Sequence, residues 1–239
     1  MQTIDYDIPL IKQGLQDCVQ SNAVQILKYY GIQKSLDEVK AEVPVFVSKE
    51  GNPLGSSLGH IATYFINQGL KTTIHTVDIE IFDRSWKGLS NQDLIEKLQQ
   101  RRKFIQSTKY SQEALDVIFD GYISFLKLGG QITFPIIDEN FLINHLKSGP
   151  IYGVVSFNFL NSASKYKFSN VSKNSVPDSV EGSPGTHVVT IAGYKDNQFK
   201  LVDPDPEFGG IRWIDPNFLI GSIYLAETDF DSILITFNK

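Results

Sequence analysis

Cysteine occurs once in the 239 residues, at Cys18, and histidine four times, at His60, His75, His145 and His187. A lone thiol excludes an intrachain disulfide and a thiolate metal cluster. Two readings of Cys18 remain: a buried, inert small hydrophobe or a nucleophile, which needs a base that is itself oriented by a third group. His187 stands at the head of the apolar run His187 to Tyr194, where a side chain faces a cleft rather than a core, and Asp203 ends the next run, Phe199 to Asp203, just before Pro204. In a tight hairpin the head of one strand neighbours the tail of the next, so His187 and Asp203 are expected side by side. Each alone has a plain structural reading: histidines pack in cores, and Asp before Pro makes turns.

The elements that must position these groups are legible in outline. Val19, Ala23, Val24, Ile26, Leu27 and Tyr30 recur near helical spacing from Cys18 until Gly31 stops them, so the thiol opens a helix. A helix start favours a thiolate. Ser35-Leu36-Asp37-Glu38 is a capping box opening a second helix to about Val43. Leu58 to Gln68 reads as a third helix and Leu70 to Val77 as a strand. Helical patterns follow over Asn91 to Gln106, Ser111 to Leu128 and Asp138 to Lys147. Beyond Gly149-Pro150 the chain turns β-rich, with strands over Ile151–Phe157, His187–Tyr194, Phe199–Val202, Ile211–Ile214 and Ser232–Phe237. Asn161 to Gly185 reads as a long polar loop, and Ser232 to Phe237 as the strand that closes the sheet. Helices first and an antiparallel meander last is an α+β pattern.

The stretch Gln13-Gly-Leu-Gln-Asp-Cys18-Val-Gln-Ser-Asn-Ala-Val-Gln-Ile-Leu-Lys-Tyr-Tyr-Gly31 resembles the active-site helix of the double-glycine-leader cysteine peptidases and their stand-alone relatives, within the papain-like superfamily. His187-Val-Val-Thr-Ile-Ala-Gly-Tyr194 followed by Leu201-Val-Asp-Pro204 is similar to that family's His strand and Asp-Pro end, and the order Cys, His, Asp agrees. The resemblance spans roughly residues 5–77 and 138–237. It implies one papain-like domain, with the Cys in a helical half and the His and Asp on an antiparallel sheet. Residues 79–137 have no counterpart in it and are expected to be a mainly helical insertion. It also implies that Cys18 is the nucleophile, His187 the general base and later acid, Asp203 the residue that orients the imidazole, and Gln13 the oxyanion donor. Gln13 lies five residues before Cys18 rather than the family's six, and Gln16 lies two before. Gly14, able to adopt angles closed to other residues, is expected to absorb the missing residue. Val19 stands where the family commonly has Gly. The implied activity is hydrolysis of a peptide or related amide. A catalytically silent binding protein and a peptidyl or acyl transferase on the same fold are the alternatives.

Composition narrows the rest. Net charge is −5, which gives nucleic-acid binding no electrostatic support. No apolar run approaches the roughly 20 residues of a membrane helix. The acidic start, Met1 to Asp7, does not read as a secretory signal, so the expected location is cytoplasmic. His60, His75 and His187 show no metal-ligand spacing, and Gly51 to Gly59 has no phosphate-loop spacing. No cofactor or metal is expected. The expected partner is a peptide or protein substrate.

Overall fold

A computed structural model describes residues 3–14, 16–43, 45–47, 53–106, 111–169, 174–226 and 232–238. Its elements, in chain order, begin with strand β1 (Ile4–Asp5) and helices α1 (Cys18–Tyr29) and α2 (Leu36–Glu42). A small ribbon of β2 (Phe46–Val47) and β3 (Pro53–Gly55) leads to α3 (Leu58–Asn67) and β4 (Lys71–Thr76). Then come α4 (Asn91–Arg101), α5 (Gln112–Lys127), β5 (Gln131–Thr133) and α6 (Glu139–Leu146). The last third holds β6 (Ile151–Ser156), α7 (Phe157–Asn161), the antiparallel pair β7 (Tyr166–Ser169) and β8 (Asn174–Pro177), β9 (Thr186–Lys195), β10 (Gln198–Asp203), β11 (Gly210–Ile214), α8 (Pro216–Tyr224) and β12 (Ile233–Asn238).

Local chemistry sets the helix limits. Ser35 and Glu38 form the reciprocal capping box at α2, and Ser90 and Asp93 form another at α4. Gly31 takes φ +82° just past α1, the left-handed turn that ends a helix cheaply only at glycine.

One eight-stranded sheet organises the molecule, in the order β11-β10-β9-β6-β12-β4-β5, with β1 added to the far end of β9. All pairings are antiparallel except β4 with β5. The sheet is covered on both faces, and strand alternation divides the cores. Ile233, Ile235 and Phe237 of β12, with Tyr152 and Val154 of β6, pack with α1, α3 and α5. Leu234 of β12, with Ile151 and Val155 of β6, packs with α6 and α8.

The α+β class holds, but three expectations change. The strand near 232–237 does not close the sheet at an edge; it sits in the middle, pairing Leu234 with Gly153 on one side and His75 on the other. The loop 161–185 contains β7 and β8, while 170–173 lie outside the described residues. Residues 79–137 do form two helices, but they are built into the main core rather than standing off it. Phe119, Tyr122 and Phe125 of α5 are buried in the same cluster as α1 and α3, and β5 extends the main sheet. The α3–α5 crossing is so close that a Cβ on Gly59 would lie 2.4 Å from the backbone N of Tyr122.

Candidate active site

Cys18 is the first residue of α1 and is half-buried. Asp17 occupies the N-cap position but does not cap the helix with its side chain. Its buried carboxylate turns back instead, accepting the Gly14 N–H at 2.6 Å and pairing with Lys40 Nζ at 3.0 Å. That clamp shapes the turn leading to the thiol. The first-turn N–H groups of a helix seek an acceptor, and here Asp17 does not supply it.

His187 is the second residue of β9 and Asp203 the last of β10. Val202 pairs with Thr190, so Asp203 lies diagonally across the ladder from His187. The approach to His187 is pinned, because Phe157 N donates to Gly185 O and Gly185 N donates to Asn158 Oδ1. His187 Nε2 is 2.7 Å from Asp203 Oδ1, and both side chains are buried. The Cys18 side chain is the other partner that acts on the imidazole, favouring its protonated form. With Nε2 committed to Asp203, Nδ1 is the nitrogen left for the sulfur. Phe157 meets the His187 ring edge-on at 5.7 Å, and Phe208 meets Phe157 at 5.4 Å, an aromatic wall on this side of the site.

Electrostatics follow from these partners. Burial alone would lower the His187 pKa. Hydrogen bonds to Asp203 and Cys18, with the charges of both, overcome burial and hold it up at about 10. For Asp203, burial would raise the carboxyl, but His187, the Asp205 N–H and the Arg212 charge bring it below the usual range. Arg212 donates to Asp203 Oδ2 at 2.9 Å and to Asn161 Oδ1 at 2.6 Å. Asp205 N donates to Asp203 Oδ1 at 3.0 Å.

The two glutamines fall in different surroundings. Gln13 is half-buried, and its backbone N–H donates to Pro204 O at 3.0 Å, joining it to the corner that carries Asp203. The Gln13 Oε1 atom is buried without a hydrogen-bond partner. Gln16 is exposed and takes φ +57°, so the left-handed kink falls there rather than at Gly14. Leu15, between them, lies outside the described residues.

The remaining histidines do not join this group. His75 places its ring nitrogens 2.6 Å from Thr133 Oγ1 and 2.8 Å from Thr236 Oγ1. His60 packs where α3 crosses α5. Among the described residues no cluster of three His, Cys, Asp or Glu side chains could hold a metal. No described helix is long and apolar enough to cross a membrane.

Sequence reasoning missed Arg212, Asn161 and the polar face of α1, formed by Asn22 and Gln25. Arg212 carries no local signal. Asn22 and Gln25 do, since they fall four and seven residues after Cys18, on its own helix face.

The chain is similar over its whole length to two solved structures. One is described as a C39-like peptidase from Bacillus anthracis, at 12% identity and TM-score 0.49, covering 100% of this chain and 98% of that one. The other is a double glycine motif protease from an AMS/PCAT transporter, solved with its leader peptide, at 14% identity and TM-score 0.43, covering 99% and 97%. No protein-family model and no curated protein matches the chain.

Proposed function

We propose that this protein is a cysteine peptidase or related amide hydrolase, with Cys18 as nucleophile, His187 as general base and acid, and Asp203 as the orienting carboxylate. The observation that supports it is the buried His187–Asp203 hydrogen bond, with Cys18 at a helix start among the groups that act on the imidazole. In this reading the proton shared by Cys18 and His187 already rests on the imidazole, and the Cys18 sulfur attacks the amide carbonyl. The oxyanion is met by the Cys18 N–H and the Gln13 amide, donors of a kind worth about 10²–10³ in rate each. The imidazolium protonates the leaving amine, the acyl group stays on sulfur, and His187 then takes a proton from water to release the acid. Asp203, held by Arg212 and the Asp205 N–H, stays charged and keeps the ring in one orientation.

The test is thiol chemistry followed by turnover. Iodoacetamide is expected to label Cys18 much faster than free cysteine near pH 6, and Cys18→Ala to abolish cleavage of a mixed peptide pool. Labelling that follows an ordinary thiol, with a pKa of about 8.5, overturns the reading.

A further inference from the structure

Helix α1 buries polar side chains that a helix packed on a sheet does not require. Asn22 and Gln25 are fully buried, as is Thr190 on β9 opposite them. Burying an amide is unfavourable unless its hydrogen bonds are replaced, and here they are. Asn22 Nδ2 donates to Cys18 O at 2.9 Å and to Val188 O at 2.7 Å. Asn22 Oδ1 accepts from Thr190 Oγ1 at 2.8 Å and from Gln25 Nε2 at 3.0 Å. Gln25 Nε2 also reaches Thr190 Oγ1 at 3.1 Å and Val202 O at 3.3 Å, while its Oε1 accepts the Ile11 N–H at 2.9 Å.

The ends of this hub coincide with the site. Cys18 is touched directly. Val188 adjoins His187, Val202 adjoins Asp203, and Ile11 is two residues before Gln13. The N-terminal region and the β9–β10 hairpin, far apart in sequence, are thus tied at one point. An apolar contact would hold α1 on the sheet but would tolerate sliding, whereas a saturated set of directional bonds admits one register. A misplacement of about 1 Å at a reacting group costs on the order of 10²-fold in rate.

We propose that Asn22, Gln25 and Thr190 are positioning residues that set the register of α1 against β9 and β10, and with it the placement of the Cys18 sulfur on His187. This rests on the reading of Cys18, His187 and Asp203 as one catalytic unit.

The experiment measures the pH–rate profile of Cys18 alkylation by iodoacetamide in the full-length protein, well below each variant's Tm. The variants are Asn22→Leu, Thr190→Val and Thr190→Ser. The expectation is wild-type-like unfolding for Thr190→Val but alkylation near pH 6 slowed several-fold, and about tenfold or more for Asn22→Leu. Thr190→Ser, which keeps the hydroxyl, is expected to restore the wild-type profile. Folded Asn22→Leu or Thr190→Val protein with the wild-type profile overturns the proposal. If Asn22→Leu does not fold, Thr190→Val decides, since it removes only one hydroxyl. A wild-type Cys18 that behaves as an ordinary thiol sinks the catalytic reading and this inference with it, whereas a reactive wild type with indifferent variants sinks the inference alone.

Discussion

Two buried histidines, His187 and His75, are each 4% exposed, yet they are driven in opposite directions. His75, between two threonine hydroxyls and beside the His145 ring, is lowered to about 3, first by burial and then by His145. His187 suffers the same burial but faces a carboxylate and a thiol, and rises to about 10. Desolvation alone makes a neutral, structural imidazole; a charged partner in the same setting makes a proton carrier. The difference lies in two side chains, not in depth. It separates a core histidine of β4 from one that can do chemistry at the head of β9.

The sharpest way to break the contrast is Asp203→Asn. The amide keeps the shape of the carboxylate but not its charge, so His187 loses one of the two partners that oppose burial and keeps only Cys18. Turnover of any peptide substrate is expected to fall about 10⁴-fold, the size of this change in other triads. NMR of the labelled ring should show His187 losing its proton at a lower pH than in the wild type. An Asp203→Asn protein with near-normal turnover would mean that the carboxylate has no catalytic part.

Gln13→Ala leaves both histidines untouched and removes only the side-chain donor proposed for the oxyanion. A kcat loss of roughly 10²–10³-fold with Cys18 alkylation intact is expected. Gln16→Ala, on an exposed kink, should be close to wild type. The reverse pattern in steady-state kinetics would reassign the donor.

What could be read in advance tracks how local its cause is. The start of α1 at Cys18, the Ser35 capping box and the end of β10 at Asp203 were legible because caps, periodicity and turns act over a few residues. The adjacency of His187 and Asp203 followed from the short connection between β9 and β10. Strand order was not legible: the apolar pattern of β12 says only that it is buried, and nothing in it distinguishes the sheet's centre from its edge. The integration of 79–137 was hidden for a similar reason, since the amphipathic face of α5 does not name its partner, α3. Helix α8 was legible and overlooked, because Asp215 caps it and Pro216 fills its first turn. Arg212 reaches Asp203 from the neighbouring strand, a relation that appears only once β10 and β11 pair.

The gentlest test of the two histidines is the pH dependence of stability, where they should act with opposite signs. His187 is raised in the folded state, so its contribution is complete below the unfolded value of 6.5 and is lost as pH climbs towards about 10. His75 is lowered, so its contribution is complete above 6.5 and is lost as pH falls towards about 3. Each fully titrating group changes stability by at most about 1.4 kcal/mol per pH unit. Denaturant unfolding of wild type, His187→Gln and His75→Gln across this range should therefore show the alkaline slope flattened only by the first substitution. From pH 6.5 down to about 4 the acid slope should be flattened only by the second, with His145 still contributing through its own lowered value. Below the ordinary Asp value of 3.8 the Asp203 carboxyl, lowered in part by His187, adds its own loss. If both variants flatten the same limb, the two imidazoles share one protonation state in the folded protein, and their partners do not distinguish them as argued.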